Sequence, residues 1–178
     1  MKRKSHFGAI VLTTLAGALP AFAAVTEPAG LSAALRPSAD EQAGFMLAAQ
    51  GVQIYSCRPK ANDGTAFAWV FVSPEATLSE GGATVGRHFG GPTWESTNDR
   101  SSVKGAVRQR QDGGAGNIPW LLLAATPTEG QGRFAGVTSI LRVATKGGVE
   151  PAEACDSSKS GQDARVPYTA DYYFYKRK

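Results

Sequence analysis

Histidine and cysteine are scarce in this 178-residue chain, with two of each. So few ligands exclude a zinc site of the usual His and Cys kinds, and leave only a carboxylate site for calcium open. Other signatures are missing as well. There is no strand-linked Gly-x-Gly-x-x-Gly, no Walker loop and no Gly-x-Ser-x-Gly elbow, which removes nucleotide-dependent and standard serine-hydrolase chemistry. Ser101-Ser102-Val103-Lys104 matches a Ser-x-x-Lys nucleophile pattern, but its partner motifs are absent and its setting reads as a strand. No internal repeat occurs, and downstream of Gly51 no helical periodicity is sustained over three turns.

What the chain does have begins at its first residues. Met1-Lys2-Arg3-Lys4 is followed by an apolar stretch from Phe7 to Leu19 and by Ala21-Phe22-Ala23, the small-x-small pattern of signal-peptidase cleavage. The stretch is interrupted by Gly8, Gly17 and Pro20 and falls short of the roughly 20 apolar residues of a membrane span. Residues 1–23 are therefore expected to be a signal peptide, 24–40 a lead-in segment anchored by Leu31 and Leu35, and 41–178 a single domain. No second apolar run follows, and no cysteine near the cleavage region offers a lipid attachment site. Lys2, Arg3 and Lys4 leave with the signal peptide, so the formal net charge of +4 falls to +1. The other basic residues are scattered apart from Lys176-Arg177-Lys178, which argues against a nucleic-acid partner. In an oxidising compartment the two cysteines, Cys57 and Cys155, are expected to form one intramolecular disulfide.

Short apolar segments with turn punctuation fill the domain. Phe45, Leu47 and Ala49 alternate with smaller or polar residues, and a turn at Gln50-Gly51 into Val52–Cys57 reads as a hairpin; a helix over Ala39–Gln50, favoured by its Ala, Gln and Met but opposed by Gly44, is the rival reading. Phe67 to Val72 is apolar on both faces, as a central strand is. Further strands are expected at Thr84–Phe89, Thr93–Ser96, Val103–Gln109, Trp120–Ala125, Val137–Thr145 and Tyr168–Tyr175, with a glycine-rich loop at Gln111–Asn117. Such spacing predicts an all-β sandwich or barrel-like domain. In the last strand, Tyr168, Ala170, Tyr172 and Phe174 share one face while Tyr173 and Tyr175 share the other.

Gly86 to Glu95 is the most individual stretch. It holds His88, the only histidine beyond the signal peptide, beside Gly90-Gly91-Pro92 and Trp94. A polar head near an aromatic wall is the composition of a ligand site; packing and hydrogen bonding at a strand bend is the rival account. Arg87, His88, Trp94, Trp120 and Tyr168 are the candidate ligand-binding residues. Glu95 and Asp99 are close enough in sequence to form a carboxylate pair.

Gly51–Cys57, His88–Trp94, Ile118-Pro119-Trp120-Leu121-Leu122-Leu123 and Val166-Pro167-Tyr168 together resemble the exported family catalogued as domain of unknown function 3455. The resemblance implies an exported domain of bacteria and fungi without an established activity, and it carries over no catalytic residue. The expected function is therefore that of an exported, non-catalytic binding or envelope-associated protein for a small ligand, with no cofactor, no metal, no nucleic acid and no membrane span. The alternative is a small exported hydrolase or isomerase using His88 as general base with Glu95 or Asp99.

Overall fold

The computed structural model describes residues 25–26, 28–61, 63–127 and 131–178; the expected signal peptide lies outside them. Eight strands follow one another: β1 (Glu41–Lys60), β2 (Asp63–Glu80), β3 (Ala83–Phe89), β4 (Thr93–Ser96), β5 (Ser102–Gln111), β6 (Trp120–Pro127), β7 (Val137–Gly147) and β8 (Asp163–Arg177). Each pairs antiparallel with the next, and β8 returns to β1, so the sheet closes into a barrel. Of the two architectures the sequence allows, the barrel is the one formed. Among the described residues no helix is long and apolar enough to cross a membrane.

Alternation along the strands sorts side chains to the two surfaces of the wall. Leu47, Trp94, Val103, Leu123, Ile140, Tyr172 and Phe174 point inward and are buried together. Leu122, Leu141, Val143 and Tyr175 point outward, where Leu35 covers them with Leu31 and Trp120 alongside. At one end of the interior Phe45, Phe134 and Phe174 pack together, with Phe45 stacked on Phe174 at 4.8 Å and Phe134 edge-on to it at 5.0 Å. The guanidinium of Arg133 lies 4.6 Å from the centre of the Phe45 ring.

Two expectations need correction. Gln50-Gly51 is not a turn: β1 runs unbroken through both residues and keeps its register with β8 there. Gly51 is needed for close approach instead, since a Cβ at that position would lie 2.1 Å from Glu75 O and 2.5 Å from Ala76 Cα. Nor is Phe67–Val72 central. It belongs to an 18-residue β2 whose pairing with the seven-residue β3 extends only from Ala76 to Glu80. Over Phe67–Ser73 the strand's ladder partner among the described residues is therefore β1, as part of an arm beyond the barrel; Trp69 Nε1 donates to Glu153 O at 2.8 Å, and Val70, Phe71 and Val72 stay exposed.

Cys57, near the far end of β1, is bonded to Cys155 in the β7–β8 connection, with Cα atoms 5.6 Å apart. The same connection is tied to β1 by hydrogen bonds from Cys57 N to Gln162 O and from Gly161 N to Cys57 O, both 2.9 Å. The disulfide thus fixes the arm to the loop that returns the chain to β8.

Candidate functional site

A cavity of about 620 Å³ occupies the barrel interior on the side of Trp94 and Tyr172 away from the phenylalanine cluster. Its size is within the roughly 300–1,000 Å³ of small-molecule sites. Leu121 and Leu123 from β6 and Ile118 before it supply apolar wall, and Phe71, Val72 and Val107 line it as exposed residues.

His88 and Trp94 form one wall because the Gly90-Gly91-Pro92 turn makes them cross-strand partners on β3 and β4. Their rings stack at 4.2 Å with an interplanar angle of 9°, and the Tyr172 ring meets both edge-on at 5.2 Å. Room for the indole comes from Gly105 on β5, where a Cβ would stand 2.9 Å from Trp94 Cζ3. His88 Nδ1 lies 2.9 Å from Thr93 O. A carbonyl only accepts, so Nδ1–H donates and Nε2 is left as an acceptor. Burial pushes the imidazole down to about 3, the Thr93 hydrogen bond opposes this more weakly, and the charge of Arg142 adds to the depression. The ring is neutral at physiological pH.

The other candidates are distributed over both surfaces of the wall. Tyr168 faces inward and is buried, but it lines a shallow depression beside Gly51 and Gly147 rather than the main cavity. Arg87 is on the outer surface, ion-paired with Glu95 at 3.0 Å and placed over the Phe89 ring. Trp120 also lies outside, against Gly30 and the lead-in segment, so the barrel wall separates it from Trp94. Glu95 pairs with Arg87 and, at 3.3 Å, with Arg100. The Asp99 carboxylate accepts from Ser101 Oγ, Ser101 N and Arg133 N, which holds it well below the usual carboxylate range. Neither acid lines the cavity.

Four polar side chains in the cavity wall had not been singled out from the sequence: Gln53, Tyr55, Arg110 and Arg142. Arg142 stands between Leu141 and Val143, in register with Leu121 and Tyr172, on the inward face of β7. Its Nε and one terminal nitrogen donate to Pro119 O at 3.1 and 2.8 Å. A lone charge sharing the face of Ile140 in an apolar strand was the signal that pointed to it. Arg110 had none. A bulge between Val107 and Gln109 reverses the alternation of β5, so that Arg110 comes opposite the inward-facing Leu121. Tyr55 donates to Gly148 O at 2.7 Å. Trp94 Nε1 is buried without a partner at hydrogen-bond distance, while the Tyr172 hydroxyl interacts with Tyr168 and Arg142, and Gln53 with Tyr168.

Fold and site together define an eight-stranded closed barrel with a polar-studded interior cavity. A family model described as a protein of unknown function (DUF3455) matches residues 79–176, and the chain belongs to that family. The matched span begins at the end of β2 and contains His88, Trp94, Arg110 and Arg142, but not Gln53, Tyr55 or Cys57. No curated protein and no solved structure was found to match the chain.

Proposed function

We propose that the protein is exported and holds a small, largely apolar ligand inside its barrel without transforming it. The observation that carries this reading is the cavity of about 620 Å³ walled by the stacked His88 and Trp94, Tyr172 and the β6 leucines. Burial of His88 supports binding over a hydrolase or isomerase. A general base works best with a pKa near the operating pH, whereas this imidazole is lowered to about 3. Among the described residues lining the cavity there is also no carboxylate to orient it. Export rests on the leader-like residues 1–23, and the Cys57–Cys155 bond suits an oxidising compartment.

Thermal-shift screening of small aromatic and aliphatic compounds against the exported product, run in parallel on Val107→Trp, tests the binding. Val107 lines the cavity yet is 48% exposed, so an indole there obstructs the space at little cost to folding. Hits are expected to stabilise the parent by about 2.7 kcal/mol at a hundredfold excess over Kd, and to leave Val107→Trp unmoved. Compounds that shift both proteins equally, or a screen without a hit, would overturn the proposal. The mass of the exported product is expected to correspond to residues 24–178; an uncleaved chain refutes the export part alone.

A further inference from the structure

Resting on that binding reading, we infer that the ligand is a small organic anion, with an apolar or aromatic body against Trp94 and an acceptor-only head, such as a carboxylate or sulfonate, held by Arg142 and Arg110. The inference starts from charge. Both arginines line the cavity, and among the described residues neither has an ion-pair partner. The described cavity wall contains no Asp or Glu. The acid whose field reaches it is Glu150, an exposed residue that acts on Tyr55.

Arg142 is the central charge. It favours the ionised forms of Tyr55, Tyr168 and Tyr172 and disfavours protonation of His88, so its guanidinium lies within electrostatic reach of all four rings. Pro119 O takes one side of the guanidinium fork and the Tyr172 hydroxyl also interacts with it, but a carbonyl and a neutral phenol neutralise no charge. Keeping a partly buried cation among apolar side chains without a counter-charge is costly, and an incoming anion relieves that cost. An arginine also presents its donors in a planar fork that suits a carboxylate-like head.

The buried donors of the wall match the same chemistry. Trp94 Nε1, which has no partner, and Gln53 Nε2, beside Tyr168, are pure donors, and the Tyr172 hydroxyl, which interacts with Tyr168 and Arg142, also carries a proton. All three residues line the cavity and are at least 97% buried, being 3%, 1% and 1% exposed. A ligand head that only accepts hydrogen bonds can take these donors, Trp94 Nε1 above all, whereas a cationic head cannot. Neutral His88 adds no charge, so the discrimination falls to the two arginines. Arg110, exposed at the cavity rim and brought inward by the β5 bulge, supplies the second.

Two fluorescent probes of nearly equal shape separate head from body. 1-Anilinonaphthalene-8-sulfonate carries an anionic head, and N-phenyl-1-naphthylamine is the same skeleton without it. Titration of the exported product is expected to give a sulfonate probe Kd at least about tenfold tighter than that of the neutral probe, as one charge-assisted contact implies. Arg142→Gln and Arg110→Gln are each expected to weaken the sulfonate probe by about tenfold and to leave the neutral probe unchanged. Val107→Trp should block both probes, which separates cavity binding from surface adsorption. Equal or tighter binding of the neutral probe, or arginine variants without effect while Val107→Trp still blocks, overturns the anion inference and leaves the cavity as a binding site. Binding of neither probe in the cavity overturns the binding reading itself. Arg110 is exposed, so its variant keeps the test decisive should Arg142→Gln fail to fold.

Discussion

A single histidine, His88, shows how far the interior can shift a side chain. The imidazole is 2% exposed, stacked on Trp94 and tied through Nδ1 to Thr93 O. With burial lowering it to about 3 from 6.5, the folded chain declines a proton that the unfolded chain accepts. The group therefore leaves stability untouched above pH 6.5 and withdraws it as pH falls towards 3, by about 1.4 kcal/mol per pH unit. Proton NMR of residues 24–178 should show the imidazole resonances of His88 unmoved between pH 8 and pH 5. A titration with a midpoint near 6.5 would show that the ring is not buried as described. Denaturant unfolding of His88→Phe should lose stability less steeply than the parent between pH 6 and pH 4, because the variant has no proton to take up there.

At the scale of elements, strand edges were legible wherever alternation and turn residues agree. Thr93–Ser96 is β4 to the residue, and the inward and outward faces of Tyr168–Tyr175 fall as alternation places them. Bulges limited the rest. Register shifts at Gly44 in β1 and near Arg108 in β5 reverse which residues face the interior; an isolated glycine marks the first, and nothing local announces the second. The β5 bulge turns Gln111 outward as it turns Arg110 inward. Gln111 then accepts from Ser32 N at 2.9 Å and donates to Gly30 O at 3.1 Å, joining the lead-in segment to the barrel. Leu35, wholly buried in a short 3-10 turn over β6 and β7, anchors that segment. Leu35→Ala should lower unfolding stability by about 2–5 kcal/mol, measured by urea denaturation. A loss below about 1 kcal/mol would mean that the segment adds little to the fold.

The whole molecule is held together by a closure of high sequence separation. β1 and β8 pair from Glu41↔Arg177 to Ser56↔Asp163, so the first strand of the barrel cannot be completed until the last is in place. The disulfide acts on the same problem. Its 98-residue separation restricts the unfolded chain by about 4.7 kcal/mol in the loop-entropy account, an upper figure for what engineered bridges usually deliver. The double variant Cys57→Ala, Cys155→Ala should keep the all-β circular dichroism of the parent and unfold at lower denaturant concentration. Unchanged stability would indicate that the arm and the β7–β8 connection are already fixed by Cys57 N to Gln162 O and its companion bond.

The strand-rich character of the chain, most strand limits and the pairing of Cys57 with Cys155 are legible in the residues. Each follows from local chemistry, namely alternation of period two, turn residues, and two cysteines with no other partner. The adjacency of His88 and Trp94 has a local cause too, because a tight Gly-Gly-Pro turn makes them cross-strand neighbours. Tertiary structure alone decided that the sheet closes, that Trp120 and Arg87 lie outside it, and that Arg110 and Arg142 share one interior with Trp94. Those outcomes depend on which surface of the wall a residue faces, and a single bulge reverses that choice for every residue beyond it.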